Sequence, residues 1–239
     1  MTATNKHWLE DSRLNIVVGY AGSGKTECCV NLALAMSRLG HPTVLADLDV
    51  VNPYFRSRER RELLAQKGIR LVATSQACVD ADVPSMPAEV NTLLEDSTLY
   101  SILDIGGGPG GARVMARYRP KLKGLPHRVC FVVNGRRPGT NTPQGAMDSL
   151  REIQRTMGLS VTHIIHNTHL CGETTTEDIL FGAGLAREVS QLSGVPILCH
   201  MVHHTLLPQL PELGEPVFPL RLYMNRPWET GEPAPDDCI

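Results

Sequence analysis

No apolar run in this chain approaches the roughly 20 residues needed to cross a bilayer. The first thirteen residues, MTATNKHWLEDSR, also lack the apolar core of a secretory signal. The expectation is a cytoplasmic protein without a membrane-spanning segment. Nor does the sequence contain a CxxC pair: its seven cysteines are scattered at 28, 29, 78, 130, 171, 199 and 238. That odd, unpaired set suits reduced thiols, and Cys238, second from the end, is out of register for a prenylation box. A strong charge of one sign is missing as well. The formal net charge of −2 creates no global field for nucleic acid or anionic lipid. There is no G-x-S-x-G elbow to support a serine hydrolase.

What is present is core-forming material. Hydrophobic residues make up 42% and charged residues 20% of 239 residues, enough for one packed α/β domain. Short, nearly all-apolar runs predict strands at 14–19, 43–47, 69–73, 99–104, 128–134, 160–167 and 195–201. Helical patterns fill 25–39, 57–67, 86–95, 112–118, 142–157 and 176–193. This alternation predicts a buried parallel sheet with helices on both faces. The expected organisation is an extension over 1–13, a domain over 14–225 and a proline- and acid-rich tail over 226–239. Segment 74–88, with two prolines and no period, reads as a loop.

The stretch LNIVVGYAGSGKTECCVNLALAM, residues 14–36, carries the chemistry. Gly19 to Thr26 match G-x-x-x-x-G-K-[ST], the Walker A pattern, between a strand and a long helix. Glycines let successive N–H groups converge on phosphate oxygens, and the helix directs its positive end at the same anion. The expected nucleotide contacts are Gly19, Ala21, Gly22, Ser23, Gly24, Lys25, Thr26 and Glu27. Lys25 would reach the β- and γ-phosphates, and the Thr26 hydroxyl would bind Mg²⁺. A magnesium site also needs carboxylates at strand ends. LYSILD ends in Asp104, followed by IGGGPGG, so Asp104 is the Walker B candidate and Gly106 or Gly107 the phosphate sensor. TVLADLD ends in Asp47 and Asp49, which period two places on one side of the strand. Acids at these positions also serve as turn and helix caps, which is the competing reading.

GSGKT, then NLALAMSRLGHPTVLADLDVVNP, then ILDIGGG, resemble the MinD/ParA-like branch of the SIMIBI P-loop NTPases over roughly residues 14–170. The chain is similar to a MinD-like group sharing D-x-D-x-V-N-P-Y-F-R-x-R-E. The resemblance implies a three-layer fold with a mainly parallel seven-stranded sheet ordered 3-2-4-1-5-6-7, binding ATP with Mg²⁺. It implies that Asp47 orients a magnesium-bound water and Asp49 positions the attacking water. Residues 49–58 and 104–113 become the two switches. One position departs from that family: Tyr20 stands where a signature lysine reaches across a dimer. A nucleotide-dependent homodimer is therefore open, and Arg56 or Arg58 are candidates for the missing charge, unless they simply begin a solvated helix.

Two asparagines, Asn134 and Asn167, follow strands, and neither opens an N-K-x-D guanine signature. ATP is thus expected over GTP. Asn167 resembles the strand-end asparagine that contacts adenine, although asparagine is also a common turn former. Histidines at 163, 166, 169, 200, 203 and 204, near Cys171 and Cys199, raise a metal-delivery alternative, as in relatives that mature hydrogenase or urease. The spacing does not force a site, since His163 and His166 point to opposite faces of a strand. Basic runs (Arg56 to Arg61; Arg113 to Lys123) are interleaved with acids and read as solvated faces, which argues against nucleic acid. The tail cannot form the amphipathic helix that recruits MinD to membranes. The sequence reading is a switch ATPase acting on an unidentified protein partner. The alternatives are a metallochaperone GTPase and an ATP-dependent kinase or ligase of the dethiobiotin-synthetase type, with Asp80 and Asp82 in an acceptor loop.

Overall fold

The computed structural model describes residues 7–49, 57–73 and 89–224. Strands β1 (Leu14–Gly19), β2 (Thr43–Leu48), β3 (Arg70–Ala73), β4 (Tyr100–Ile105), β5 (Arg128–Val133), β6 (His163–His166), β7 (Ile197–His203) and β8 (Val217–Leu220) form one sheet. Its order is β3-β2-β4-β1-β5-β6-β7-β8, and every pairing is parallel. The order expected from the resemblance holds for the first seven strands. The eighth extends the sheet at the β7 edge and corrects the expected count. Its sequence, VFPL, is short and carries Pro219, which weakens a strand signal yet is tolerated at an edge.

Helices α1 (His7–Glu10), α2 (Lys25–Arg38), α3 (Arg61–Gln66), α4 (Glu89–Glu95), α5 (Gly108–Ala116), α6 (Arg119–Leu122), α7 (Pro143–Met157) and α8 (Thr176–Ser193) cover the sheet. Short 3₁₀ turns run over Ser57–Arg60 and His204–Gln209. Strand alternation sorts the core into two layers. Leu14, Ile16, Val18, Leu103 and Phe131 pack with α4, α5, α7 and part of α8 on one face. Val17, Leu45, Ile102, Val132 and Ile165 pack on the other, against α1, α2 and α3. The segment before β1 joins this core: Leu9 is buried, Trp8 meets Phe218 edge to face, and Arg128 donates to Trp8 O at 3.0 Å.

Helix α5 begins at Gly108 with Pro109 in its first turn, four residues before the predicted start at 112. The glycines after Asp104 therefore lead straight into a helix. Loop 74–88 with Asp80 and Asp82, Arg56, the Arg58 side chain, most of the first switch and the tail lie outside the described residues. No helix among the described residues is long and apolar enough to cross a membrane.

Candidate functional site

Strand β1 delivers the chain to the glycine bend at the centre of the sheet. A Cβ on Gly19 would lie 2.6 Å from Val132 O on β5, so only glycine fits beside that strand. The bend then closes on itself: Ser23 N donates to Tyr20 O at 3.2 Å, and Lys25 Nζ donates to the same carbonyl at 3.0 Å. Gly22 (φ 72°) and Gly24 (φ 84°) adopt left-handed backbone that other residues resist. Gly24 is the N-cap of α2 and offers no side-chain cap. The first-turn amides and the positive end of a 14-residue helix thus face a cavity of about 410 Å³. Ala21, Gly22, Gly24, Lys25, Thr26, Glu27 and Asp49 line it, as do Gly107 and Asn167.

Parallel pairing assembles the acidic side. Asp104 registers with Val17 on β1 and with Asp47 on β2, so both carboxylates stand at the strand ends beside the bend. Asp49 N donates to Asp47 Oδ1 at 3.3 Å. The Gly106–Gly107 turn is pressed against both neighbours. A Cβ on Gly106 would meet Asp49 Oδ1 at 2.6 Å, and one on Gly107 would meet Ala21 Cα at 2.8 Å. Burial, reinforced by the Asp47 charge, pushes the Asp104 pKa up to about 7 against the pull of Lys25 and Thr26. Burial lowers the Lys25 pKa, with Asp104 and Asp49 opposing. Asp104 Oδ2 is buried with no hydrogen-bond partner among the described residues. Lys25, Thr26, Asp47, Asp49, Asp104 and Gly106 are therefore brought to one place. An orphaned carboxylate oxygen among oxygen donors is the chemistry a hard cation such as Mg²⁺ requires.

The loops after β5 and β6 wall the opposite side. Asn167 Nδ2 donates to Ser23 O at 2.9 Å, tying the end of β6 to the bend. Asn134 is consumed differently: its Oδ1 accepts from Arg136 N (2.9 Å) and His169 N (3.3 Å), and its Nδ2 donates to His169 O. It splices the two loops. Glu27 lines the cavity, but its carboxylate accepts from Tyr223 N (2.7 Å) and Met224 N (3.1 Å), and burial pushes it up to about 7. Its visible work is to hold the segment after β8, so that Leu222 and Met224 form a cavity wall. Sequence reasoning missed those wall residues and Arg137 and His169. Nothing in a sequence marks which distant loop will fold over a bend.

The histidines fall into separate settings. His166 Nδ1 meets His200 Nδ1 at 2.9 Å, and His200 Nε2 bonds Glu215 at 3.0 Å. His203 bonds Thr205, while His163 bonds Thr162. Among the described residues no three His, Cys, Asp or Glu form a metal-holding group. Cys28, Cys29, Cys130 and Cys199 are buried, which raises their thiol pKa values, that of Cys130 to about 12.

No family model matches this sequence, and no curated protein does. Solved structures do. The cell division protein FtsY of Thermotoga maritima is similar, with a TM-score of 0.55 and 21% identity over 83% of this chain and 68% of that one. FtsY of Mycoplasma mycoides gives 0.53 and 19%, over 82% and 63%. The signal recognition particle receptor FtsY of Elizabethkingia anophelis, solved with GDP, gives 0.50 and 18%, over 81% and 58%. The chain thus spans between 58% and 68% of the length of these neighbours. The likeness is one of fold: a parallel α/β sheet with helices on both faces.

Proposed function

We propose that this chain is a Mg²⁺-dependent nucleoside triphosphatase that prefers ATP and works as a MinD/ParA-like switch on a protein partner. The observation that carries this reading is the convergence of Asp47, Asp49 and Asp104 on Lys25 and Thr26 beneath an uncapped helix N-terminus. In this reading the amides of residues 21–26 hold the phosphates, and Lys25 turns from Tyr20 O to the β- and γ-oxygens. Thr26, with Asp104 and Asp47 supporting bound waters, holds Mg²⁺, which when bound neutralises charge on the transferring phosphoryl group. Asp49 positions the attacking water, and Gly106 senses the terminal phosphate. Loss of that phosphate would remove its contact with Gly106 and let the Gly106–Gly107 turn, packed on Asp49 and Ala21, shift, which gives the switch a moving part.

Adenine is favoured because Asn167 stands at a strand end, as the adenine-contacting asparagine of the resembled family does, and because the sequence from Asn167 to Leu170 has no N-K-x-D acid. Of the cavity-lining residues only Glu27 and Asp49 are acidic, and Glu27 is engaged by Tyr223 and Met224. Guanine is the second reading, supported by the GDP bound to the Elizabethkingia neighbour. Calorimetric titration with ATP and GTP, with and without Mg²⁺, alongside phosphate release in the absence of any acceptor, tests both. Failure of both nucleotides to bind would discard the proposal. Tighter GTP binding would reverse the base assignment, and turnover only with an added acceptor would favour a kinase.

A further inference from the structure

Two side chains on the β5–β6 side close over the bend. Arg137 Nε donates to Gly22 O at 2.8 Å, and its Cζ lies 2.5 Å from where a Cβ on Gly22 would stand. The guanidinium is thereby anchored on the chain's own bend at the cavity rim, and its Nη atoms make no hydrogen bond to a described residue. His169 also lines the cavity, with Nε2 at 2.8 Å from a Cβ placed on Gly24. Its Nδ1 accepts from Cys171 N at 3.4 Å, with Cys171 Sγ 3.9 Å away, so the ring hydrogen sits on Nε2. That Nε2 is buried and has no partner among the described residues. Burial, aided by Arg137, lowers the His169 pKa to about 4, so the ring is a neutral donor.

A buried N–H without an acceptor is costly, and a guanidinium edge fits oxyanions better than any other ligand. Both groups sit on the shoulder of the phosphate bend. Tyr20 explains how they are held: its ring packs on Gly139, 3.3 Å from a Cβ placed there, and so seats the 134–140 loop against the bend. The residue in place of a lysine does not leave the site short of charge; it braces the loop that carries Arg137.

We propose that Arg137 and His169 form an oxyanion clamp for the diphosphate of a bound nucleotide. Arg137 supplies in cis, from the loop after β5, the positive charge that Tyr20 does not carry. The inference deepens the nucleotide reading above and rests on it. Its test is calorimetry of ADP and ATP binding to the full chain and to Arg137→Gln, Arg137→Lys and His169→Phe, each checked for an unchanged melting temperature. Arg137→Gln should weaken ADP binding about 10- to 100-fold, the range for a charge-assisted bond. Arg137→Lys should retain part of that affinity, and millimolar guanidinium should restore part of it to Arg137→Gln. His169→Phe should cost about 3- to 10-fold, as a neutral bond does.

Equal losses for Lys and Gln would show that loop support and not charge was removed, overturning the clamp. ADP binding within about twofold of the unaltered protein in Arg137→Gln would overturn it too. Recovery of turnover on mixing Arg137→Gln with Lys25→Ala would place the charge in trans and sink the cis assignment. A full-length unaltered protein that binds no nucleotide would instead sink the nucleotide reading, a result distinct from these.

Discussion

Lys25 is nearly inaccessible and holds its ammonium on a main-chain carbonyl of its own bend, a resting contact that a triphosphate would replace. Lys25→Ala is therefore expected to weaken ATP binding by about 100-fold or more, measured by calorimetry. Asp49 sits against the Gly106 turn, outside the bend itself. Asp49→Ala should leave affinity nearly intact and lower turnover by about 10²- to 10⁴-fold in a phosphate-release assay. Equal loss of affinity and rate would mean that its role is misassigned. Gly24→Ala probes a separate contact. Its Cβ would collide with Asn167 Nδ2, breaking the Asn167–Ser23 bond as well as straining a left-handed residue. Loss of ATP-over-GTP discrimination together with a lowered melting temperature is the expected outcome. The three acids were legible from their strand-end positions and Lys25 from the glycine-bend pattern; Glu27's engagement by Tyr223 and Met224, nearly two hundred residues away, was not.

At the scale of elements, two interactions join parts distant in sequence. Asn31 on α2 donates to Arg221 O (2.8 Å) and accepts from Arg221 N (2.9 Å), acting as a strand partner for the segment after β8. Asn31→Ala should cost about 1–3 kcal/mol of stability, because both groups of Arg221 lose their partner. Its readout is the denaturant midpoint. The second joins β6, β7 and the turn before β8 through His166, His200, Glu215 and Arg187. With Nε2–H of His200 donated to Glu215, His166 must supply Nδ1–H to His200 Nδ1, which leaves both rings neutral. Burial holds both histidines below their ordinary pKa of 6.5, His166 furthest, while Arg187 holds Glu215 at about 2. The unfolded chain takes up protons on these rings below pH 6.5 and the folded chain does not. The pair's contribution to stability should therefore fall as pH drops from 6.5 toward 5, against the opposite contribution of Asp104 and Glu27, which burial lets the folded chain protonate below about 7. Glu215 adds stability present above pH 4.5 and lost on approach to 2. The difference in melting temperature between the unaltered protein and His166→Gln, followed from pH 7.5 to 5, checks the sign and should shrink on acidification. A difference that grows or stays constant as pH falls would contradict the neutral pair.

For the whole molecule, a cis clamp makes the catalytic set complete within one chain. Turnover per chain should then be independent of protein concentration across the micromolar range, and native mass measurement with ATP should find hydrolysis without obligate dimerisation. Specific activity that climbs with concentration would restore a shared site between copies. The fold supports the single-chain view in one respect: β1 lies centrally, between the acid-bearing β4 and the loop-bearing β5. Carboxylates and the arginine shoulder thus reach the same bend from opposite sides.

Local pattern sufficed for the seven principal strands, the glycine bend and its lysine, and the strand-end acids. Each depends on interactions within a few residues: two-residue alternation, left-handed glycine backbone, a helix start. The edge strand β8 escaped notice because four residues with a proline carry too little alternation to stand out. The roles of Tyr20, Arg137, His169 and Glu27 were decided only by packing. Loops more than a hundred residues away in the chain fold over the bend, and a side chain's work there is set by whichever donor or acceptor tertiary contact leaves beside it.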